Sequence, residues 1–402
     1  MSPRLRLAYF SPLPPARSGI ADYSQELLPH LAEVADVTVF IEDPSETSWL
    51  APPPLRLLPI ASYAGKRWEY DITLYQMGNS FYHAAIYKTA LRYPGIVVLH
   101  EHGLHHFVTS QTLDPGRPAA YAREMGYALG AEGLQTAREV GMRLRPPPFF
   151  ETPLTDRLLD RSLGVMVHSR SAQEELLRRT PTLRVAAVPA PVISYSSTGH
   201  RAELGLPGDA LLFATFGLVT PEKQIGRALR AFAHLRANVP NAFYLVVGDC
   251  EPAGIDLPAL VRELALEESV LHAGYAADLD VFVDLIAAAD VVINLRLPTQ
   301  GEASATALRA LAAGRPLVVF AHGWYAELPD DVCIKVQPGD DDALLIALTE
   351  LADQPRLRDE LGRRAAAYAA QAHSPDKTAA AYIEFVEGVL RDLRHHLGGA
   401  PT

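Results

Sequence analysis

Short apolar runs rich in β-branched residues recur along this chain, and each leads into a longer stretch with apolar residues at helical spacing. The first series of runs is Leu5–Phe10, Val37–Ile41, Ile72–Gln76, Ile96–His100, Val165–His168 and Val185–Val188. The second is Leu211–Phe216, Phe243–Val247, Val270–Ala273, Val291–Leu295, Leu317–Phe320 and Cys333–Val336. Segments such as Tyr23–Ala32, Ser171–Arg179, Ile225–Ala237 and Thr306–Ala313 lie between them. Strand–helix alternation requires parallel sheets with helices on both faces, because each crossover must travel back over the sheet. Two series predict two doubly wound α/β domains. The 402 residues suffice for two cores of about 100–200 residues each.

Breakers cluster between the two series. Pro189, Pro191, the run Ser194–Gly199 and Pro207-Gly208 place a boundary near 189–210. The expected division is 1–190 and 195–375. A last helical pattern, Lys377–Leu397, can belong to either domain. Residues 103–160 break the alternation with a long helical stretch, Ala119–Leu144, followed by Pro146-Pro147-Pro148-Phe149-Phe150. An insert there lies beyond the carboxyl ends of the strands, where open α/β sheets bind ligands. It suits acceptor binding, a dimer contact or a surface decoration.

Composition removes several function classes. A net charge of −11 disfavours general nucleic-acid binding, which needs a basic surface. Cys250 and Cys333 are the only cysteines, too few for a disulfide framework or a cysteine-based zinc site. The N-terminal apolar run is short for a signal peptide. Asp284 and Asp290 interrupt the most apolar later stretch, and no window reaches the roughly 18–20 apolar residues of a membrane span. A cytoplasmic protein is expected.

Three strand-to-helix junctions suggest phosphate chemistry. The first strand runs through a Pro-rich loop into Ser18-Gly19-Ile20-Ala21-Asp22-Tyr23. Gly19 there permits close approach to the backbone at a helix start, or is simply a turn glycine. Neither G-x-G-x-x-G nor a P-loop is present. The second domain opens with Gly217-Leu218-Val219-Thr220-Pro221-Glu222-Lys223 after its first strand. Lys223 is one of five lysines against 31 arginines. It serves as a point charge on a phosphate or as a solvated loop lysine. The third junction is Gln300-Gly301-Glu302-Ala303-Ser304-Ala305, leading to a helix that Gly314 ends. The N–H groups of Ala303, Ser304 and Ala305 suit an anion. Glu302 would repel a diphosphate and suits hydroxyls instead, or is an ordinary helix-start charge.

These segments, in this order, resemble the retaining family 4 glycosyltransferases of GT-B fold over nearly the whole chain. Gly217-x5-Lys223 resembles the donor diphosphate motif. Glu302 with Ala310-Leu311-Ala312-Ala313-Gly314-Arg315-Pro316 resembles the acidic donor motif, and Ser18–Tyr23 the N-terminal glycine loop. Tyr75-Gln76-Met77-Gly78-Asn79 and Leu99-His100-Glu101 resemble a bacterial branch. The chain departs from the family pattern at Leu218, where an Arg is common. Gly301 and Arg309 occupy the two acidic slots, with Glu302 shifted by one. Arg17, Arg227 and Arg309 are candidate compensating cations.

The resemblance implies two Rossmann-like domains facing across a cleft, with the C-terminal helix 376–402 crossing back to the first. It implies transfer of a hexosyl-type sugar from a nucleotide sugar, UDP- or GDP-linked, to a hydroxyl, with retention and without metal. No cofactor is required. His100, Lys223 and Glu302 become the catalytic candidates. Gly19, Gly217, Lys223, Glu302, Ala303, Ser304, Ala305 and Arg309 become donor-binding candidates. His100, His102, His105 and His106 form a cluster after a strand, with His102 and His106 at a helical metal-ligand spacing. A metal-free cluster is the preferred reading. Asn79, His83 and His105 are acceptor-side candidates, with loop capping as the alternative for the first two. The expected partners are a nucleotide sugar and a glycan, lipid-linked or small-molecule acceptor. No nucleic acid is expected; weak peripheral membrane contact and a homodimer are compatible with the sequence. Two competing functions are a GT-B-fold sugar-nucleotide epimerase and a non-enzymatic sugar-nucleotide-binding protein.

Overall fold

A computed structural model describes residues 4–194, 200–251, 254–276 and 278–398. Residues 195–199 of the breaker run lie outside the described residues. Two compact units emerge from the chain contacts. The first holds the chain up to Pro191, Gln300–Ala303 and the chain from Pro375 onward; the second holds Val192–Thr299 and Ser304–Ser374.

The first unit carries β1 (Arg6–Phe10), β2 (Asp36–Ile41), β3 (Arg56–Pro59), β4 (Ile72–Met77), β5 (Ile96–Leu99), β6 (Gly164–Val167) and β7 (Val185–Ala187). Their order is β3-β2-β1-β4-β5-β6-β7, and neighbouring strands run parallel. β4 is buried along its whole length, as a central strand covered on both faces must be. Phe10 stacks on Phe40 at 4.9 Å, meets Tyr63 edge-on and lies at a tilt to Tyr75 of β4. β3 has no counterpart among the sequence-predicted runs. It is a short, partly exposed edge strand that ends in Pro59, a position where a missing N–H costs little.

The second unit carries β8 (Leu211–Phe216), β9 (Ala242–Val247), β10 (Val270–Gly274), β11 (Val291–Ile293), β12 (Leu317–Phe320) and β13 (Ile334–Val336). The order is β10-β9-β8-β11-β12-β13, again with parallel neighbours. In each sheet the order reverses beside the unit's first strand, between β1 and β4 and between β8 and β11. Ligands of such sheets bind at the carboxyl ends of the strands at that reversal.

One boundary differs from expectation. Gln300–Ala303 group with the first unit rather than with 195–375, because four hydrogen bonds described below hold them there. The insert between β5 and β6 comprises helices His105–Thr112, Pro118–Gly141 and Asp156–Leu159. Its long helix is kinked at Gly130, where φ is 60°. Met125 of that helix is fully buried in the core. Tyr127, Leu129, Leu134, Met142 and Leu144 are the exposed apolar residues of that segment.

The final helix, Pro375–Gly398, packs on helix Gly19–Val34 in the first unit. Tyr382 Oη lies 2.6 Å from Tyr23 Oη, and His30 Nδ1 lies 2.6 Å from Asp376 Oδ1.

Candidate functional site

In the second unit, β8 delivers the chain to Gly217, whose φ of 95° lies where a side chain is strained. The chain then pairs Val219 N with Asp249 O at 2.8 Å and turns through Pro221–Lys223 into helix Ile225–Arg236. This turn folds Lys223 back over the strand end. Its Nζ donates to Phe216 O at 3.3 Å and stands 3.1 Å from where a Gly217 Cβ would lie. Its dihedral calls for glycine at 217, and a Cβ there would also crowd the ammonium above it.

Asn294, just after strand β11, is buried and holds the start of helix Ala305–Ala312. Asn294 Nδ2 donates to Ser304 Oγ at 2.9 Å, and Tyr325 Oη donates to Asn294 Oδ1 at 3.3 Å. Ser304 Oγ also accepts Ala307 N, as an N-cap does. The N–H groups of Ala305 and Thr306 find no acceptor among the described residues. Positive helix-end dipole and free donors thus occupy the same end of the sheet as Lys223. Arg309 is 5% exposed, on a helix whose Leu308, Ala310 and Leu311 are also buried. Arg227 is engaged with Asp341 at 2.6 Å, and Leu218 is exposed.

In the first unit, Ser18 caps helix Gly19–Val34 by accepting Ile20 N. A Cβ at Gly19 would meet nothing within 4 Å, so internal packing does not call for glycine there. His100 ends β5. Its Nε2 lies 2.8 Å from Gln76 Oε1, and its ring meets Tyr23 edge-on at 4.6 Å. Burial, then His168 and His83, push its pKa well below the usual histidine value, so the ring is neutral.

Glu302 Oε2 accepts Gln300 N at 2.7 Å. Gln300, which sequence reasoning passed over, is buried and anchors this segment. Gln300 O accepts His102 N at 2.8 Å, its Oε1 accepts Asn79 Nδ2 at 3.3 Å, and its Nε2 donates to Phe149 O at 3.0 Å. Ser169 Oγ donates to Gly301 O at 2.7 Å. Only the partners, remote in sequence, distinguish this glutamine from any loop glutamine. Ala303 belongs with this segment in the first unit.

The three acceptor-side candidates each make internal hydrogen bonds. Asn79 Oδ1 accepts Phe107 N at 2.8 Å, capping helix His105–Thr112, while Nδ2 lies 3.1 Å from His106 Nδ1. His105 is fully buried, with Nδ1 2.7 Å from Thr152 O and Nε2 2.8 Å from Tyr121 Oη. Both ring nitrogens are committed, so no substrate reaches them. His83 is fully buried with Nδ1 3.2 Å from Ser80 Oγ. His106 stacks on Phe149 at 3.9 Å. His102 precedes the helix that begins at His105, so the helical metal-ligand spacing of His102 and His106 is not realised. Among the described residues no three His, Cys, Asp or Glu side chains converge as metal ligands would.

These buried histidines predict an acid-sensitive fold. Burial lowers the pKa values of His83 and His105 from 6.5 to about 4. The unfolded chain then takes up protons first as pH falls, so their stabilisation is complete above pH 6.5 and is lost between about 6.5 and 4. Each accounts for about 3 kcal/mol across that window. The urea midpoint falls accordingly between pH 7.5 and 4.5, and His105→Gln makes the fall shallower. A midpoint constant over this range contradicts the assignment.

The two sheets, each reversing at its first strand, define a GT-B architecture shared over nearly the whole chain with solved glycosyltransferase structures. Sucrose-phosphate synthase from Thermosynechococcus elongatus superposes with a TM-score of 0.66 at 18% identity, covering 97% of this chain and 100% of that one. Anabaena HepE in complex with UDP gives 0.63 at 16% identity, covering 96% and 100%. More particularly, residues 210–354, which contain Gly217, Lys223, Ser304 and Ala305, match the family of glycosyl transferases group 1. A D-inositol 3-phosphate glycosyltransferase of Streptomyces griseus is 30% identical over 204 residues, 48% of this chain and 42% of that protein. The chain spans less than half the length of the curated relatives it matches. Among the described residues no helix is long and apolar enough to cross a membrane.

Proposed function

We propose that the protein is a glycosyltransferase that moves a hexosyl-type sugar from a nucleotide sugar to a hydroxyl acceptor, with retention of anomeric configuration and without a metal. The observation that carries this reading is Lys223 Nζ folded over Gly217 at the end of β8, inside the group 1 match. Glycosyl transfer leaves a diphosphate, and its growing negative charge needs preorganised donors. In the second unit the Lys223 ammonium and the Ala305 and Thr306 N–H groups supply them. In the first unit Gly19 permits close backbone approach, and His100 and Glu302 are assigned to sugar hydroxyls. A uridine diphosphate donor is favoured by the complexes of HepE with UDP and with UDP-glucose.

The insert 103–160 is assigned to acceptor choice. Its exposed Tyr127, Met142 and Leu144, with Arg143 and Arg145 nearby, suit an acceptor with an apolar part, including a lipid-linked one at a membrane surface.

The test is a thermal-shift panel of UDP- and GDP-sugars followed by product analysis. One nucleotide sugar raises the melting temperature, since ligand binding to the native state stabilises it. Incubation then releases the nucleoside diphosphate and forms a glycoside with the donor's anomeric configuration, with EDTA present. An inverted product removes the retaining assignment. Binding with no turnover favours a non-enzymatic role, and release of an altered nucleotide sugar favours an epimerase.

A further inference from the structure

His100 belongs to a buried hydrogen-bonded chain that reaches the C-terminal helix. Gln76, fully buried on β4, places Oε1 2.8 Å from His100 Nε2 and directs its Nε2 to Tyr382 Oη at 3.4 Å. Tyr382 Oη in turn lies 2.6 Å from Tyr23 Oη. A carbonyl oxygen only accepts, so His100 Nε2 must carry the proton. The 2.8 Å separation suits N–H···O. The other ring nitrogen, Nδ1, then bears a lone pair, and no group among the described residues donates to it. His100 as a residue is half-buried and stands just beyond the carboxyl end of β5.

We propose that Gln76 and Tyr382 are positioning residues that fix His100 as the neutral Nε2–H tautomer, so that Nδ1 accepts a hydrogen bond from a sugar hydroxyl. The tautomer follows from geometry alone; the identity of the hydroxyl rests on the glycosyltransferase reading above. Such a lone pair selects a substituent that donates. It disfavours a fluorine or a carboxylate at the same sugar position, because neither offers a proton and each leaves the buried acceptors facing one another. Tyr382 acts through the amide. By holding Gln76 Nε2 it keeps Oε1 turned to His100, and so helix Pro375–Gly398 sets the tautomer of a residue 282 positions from Tyr382.

The test separates the tautomer from the activity. Long-range ¹H–¹⁵N NMR of histidine-labelled full-length protein at pH 7.5 shows His100 protonated at Nε2 only. In Gln76→Met, which keeps length and removes the acceptor, both tautomers appear, and Tyr382→Phe shifts the ratio in the same direction with the fold retained. A resonance showing Nδ1–H in the wild type overturns the proposal, whatever the activity. For the UDP-sugar the protein turns over, analogues with single hydroxyl-to-fluorine replacements are compared. Wild type loses at least tenfold in kcat/KM with one of them, and Gln76→Met reduces that discrimination at least threefold. Equal discrimination in both proteins overturns the specificity role. If no nucleotide sugar is bound or turned over while the Nε2–H tautomer is present, the glycosyltransferase reading fails and the tautomer assignment stands.

Discussion

Lys223→Ala lowers kcat/KM for the nucleotide-sugar donor by about 10- to 100-fold, while the urea midpoint stays within error of wild type. A charge-assisted contact to phosphate is worth about 1.5–3 kcal/mol, and about 1.4 kcal/mol corresponds to tenfold. The bond that Lys223 makes to Phe216 O is a long one, at 3.3 Å, so its loss costs the fold little. Lys223→Arg does not restore activity fully, since a planar fork cannot sit over Gly217 as a compact ammonium does. Steady-state kinetics with isothermal titration of UDP checks both statements. Unchanged donor affinity and turnover in a folded Lys223→Ala protein removes the residue from the site.

Gly248→Ala produces the largest loss of stability expected from a single methyl group in the second unit. Gly248 follows β9 with φ of 143°, and its Cβ would lie 2.2 Å from Gly217 O, a backbone atom with no rotamer to escape by. The added methyl costs about 3 kcal/mol through steric overlap and dihedral strain. It also pushes the Gly217 loop, so donor affinity falls with stability. Gly19→Ala is the contrast. Its Cβ meets nothing, so stability is retained while any close approach of a ligand is obstructed. Chemical denaturation of both variants decides the point; equal stability of Gly248→Ala and wild type contradicts the close approach.

The strand series was legible because parallel strands covered on both faces read as near-continuous apolar runs, as β5 and β12 do. The Gly217–Lys223 junction was legible for a related reason. Strand end, glycine, lysine and helix start lie within one short stretch of chain, so local order carries the geometry. β3 escaped because an edge strand with Arg56 and Pro59 has neither an apolar run nor strict alternation.

The polar residues of the first unit could not be sorted from sequence. Asn79, His83, His100 and His105 all follow strands, and a strand end is equally suited to capping, packing or recognition. Their roles depend on partners found only after folding: Phe107 for Asn79, Tyr121 and Thr152 for His105, and Gln76 for His100. Each pairing satisfies a buried donor or acceptor that would otherwise cost free energy, so packing rather than residue type decided which groups remained available. The sequence by itself determined two parallel α/β units and the phosphate-suited junction after β8, because burial period and loop chemistry are local. The tertiary structure alone decided that Gln300–Ala303 join the first unit, that Arg309 is buried, and that Tyr382, 306 positions from Gln76, completes the hydrogen-bonded chain behind His100. Those are contacts between segments distant along the chain, and no local pattern encodes which distant polar group will satisfy another.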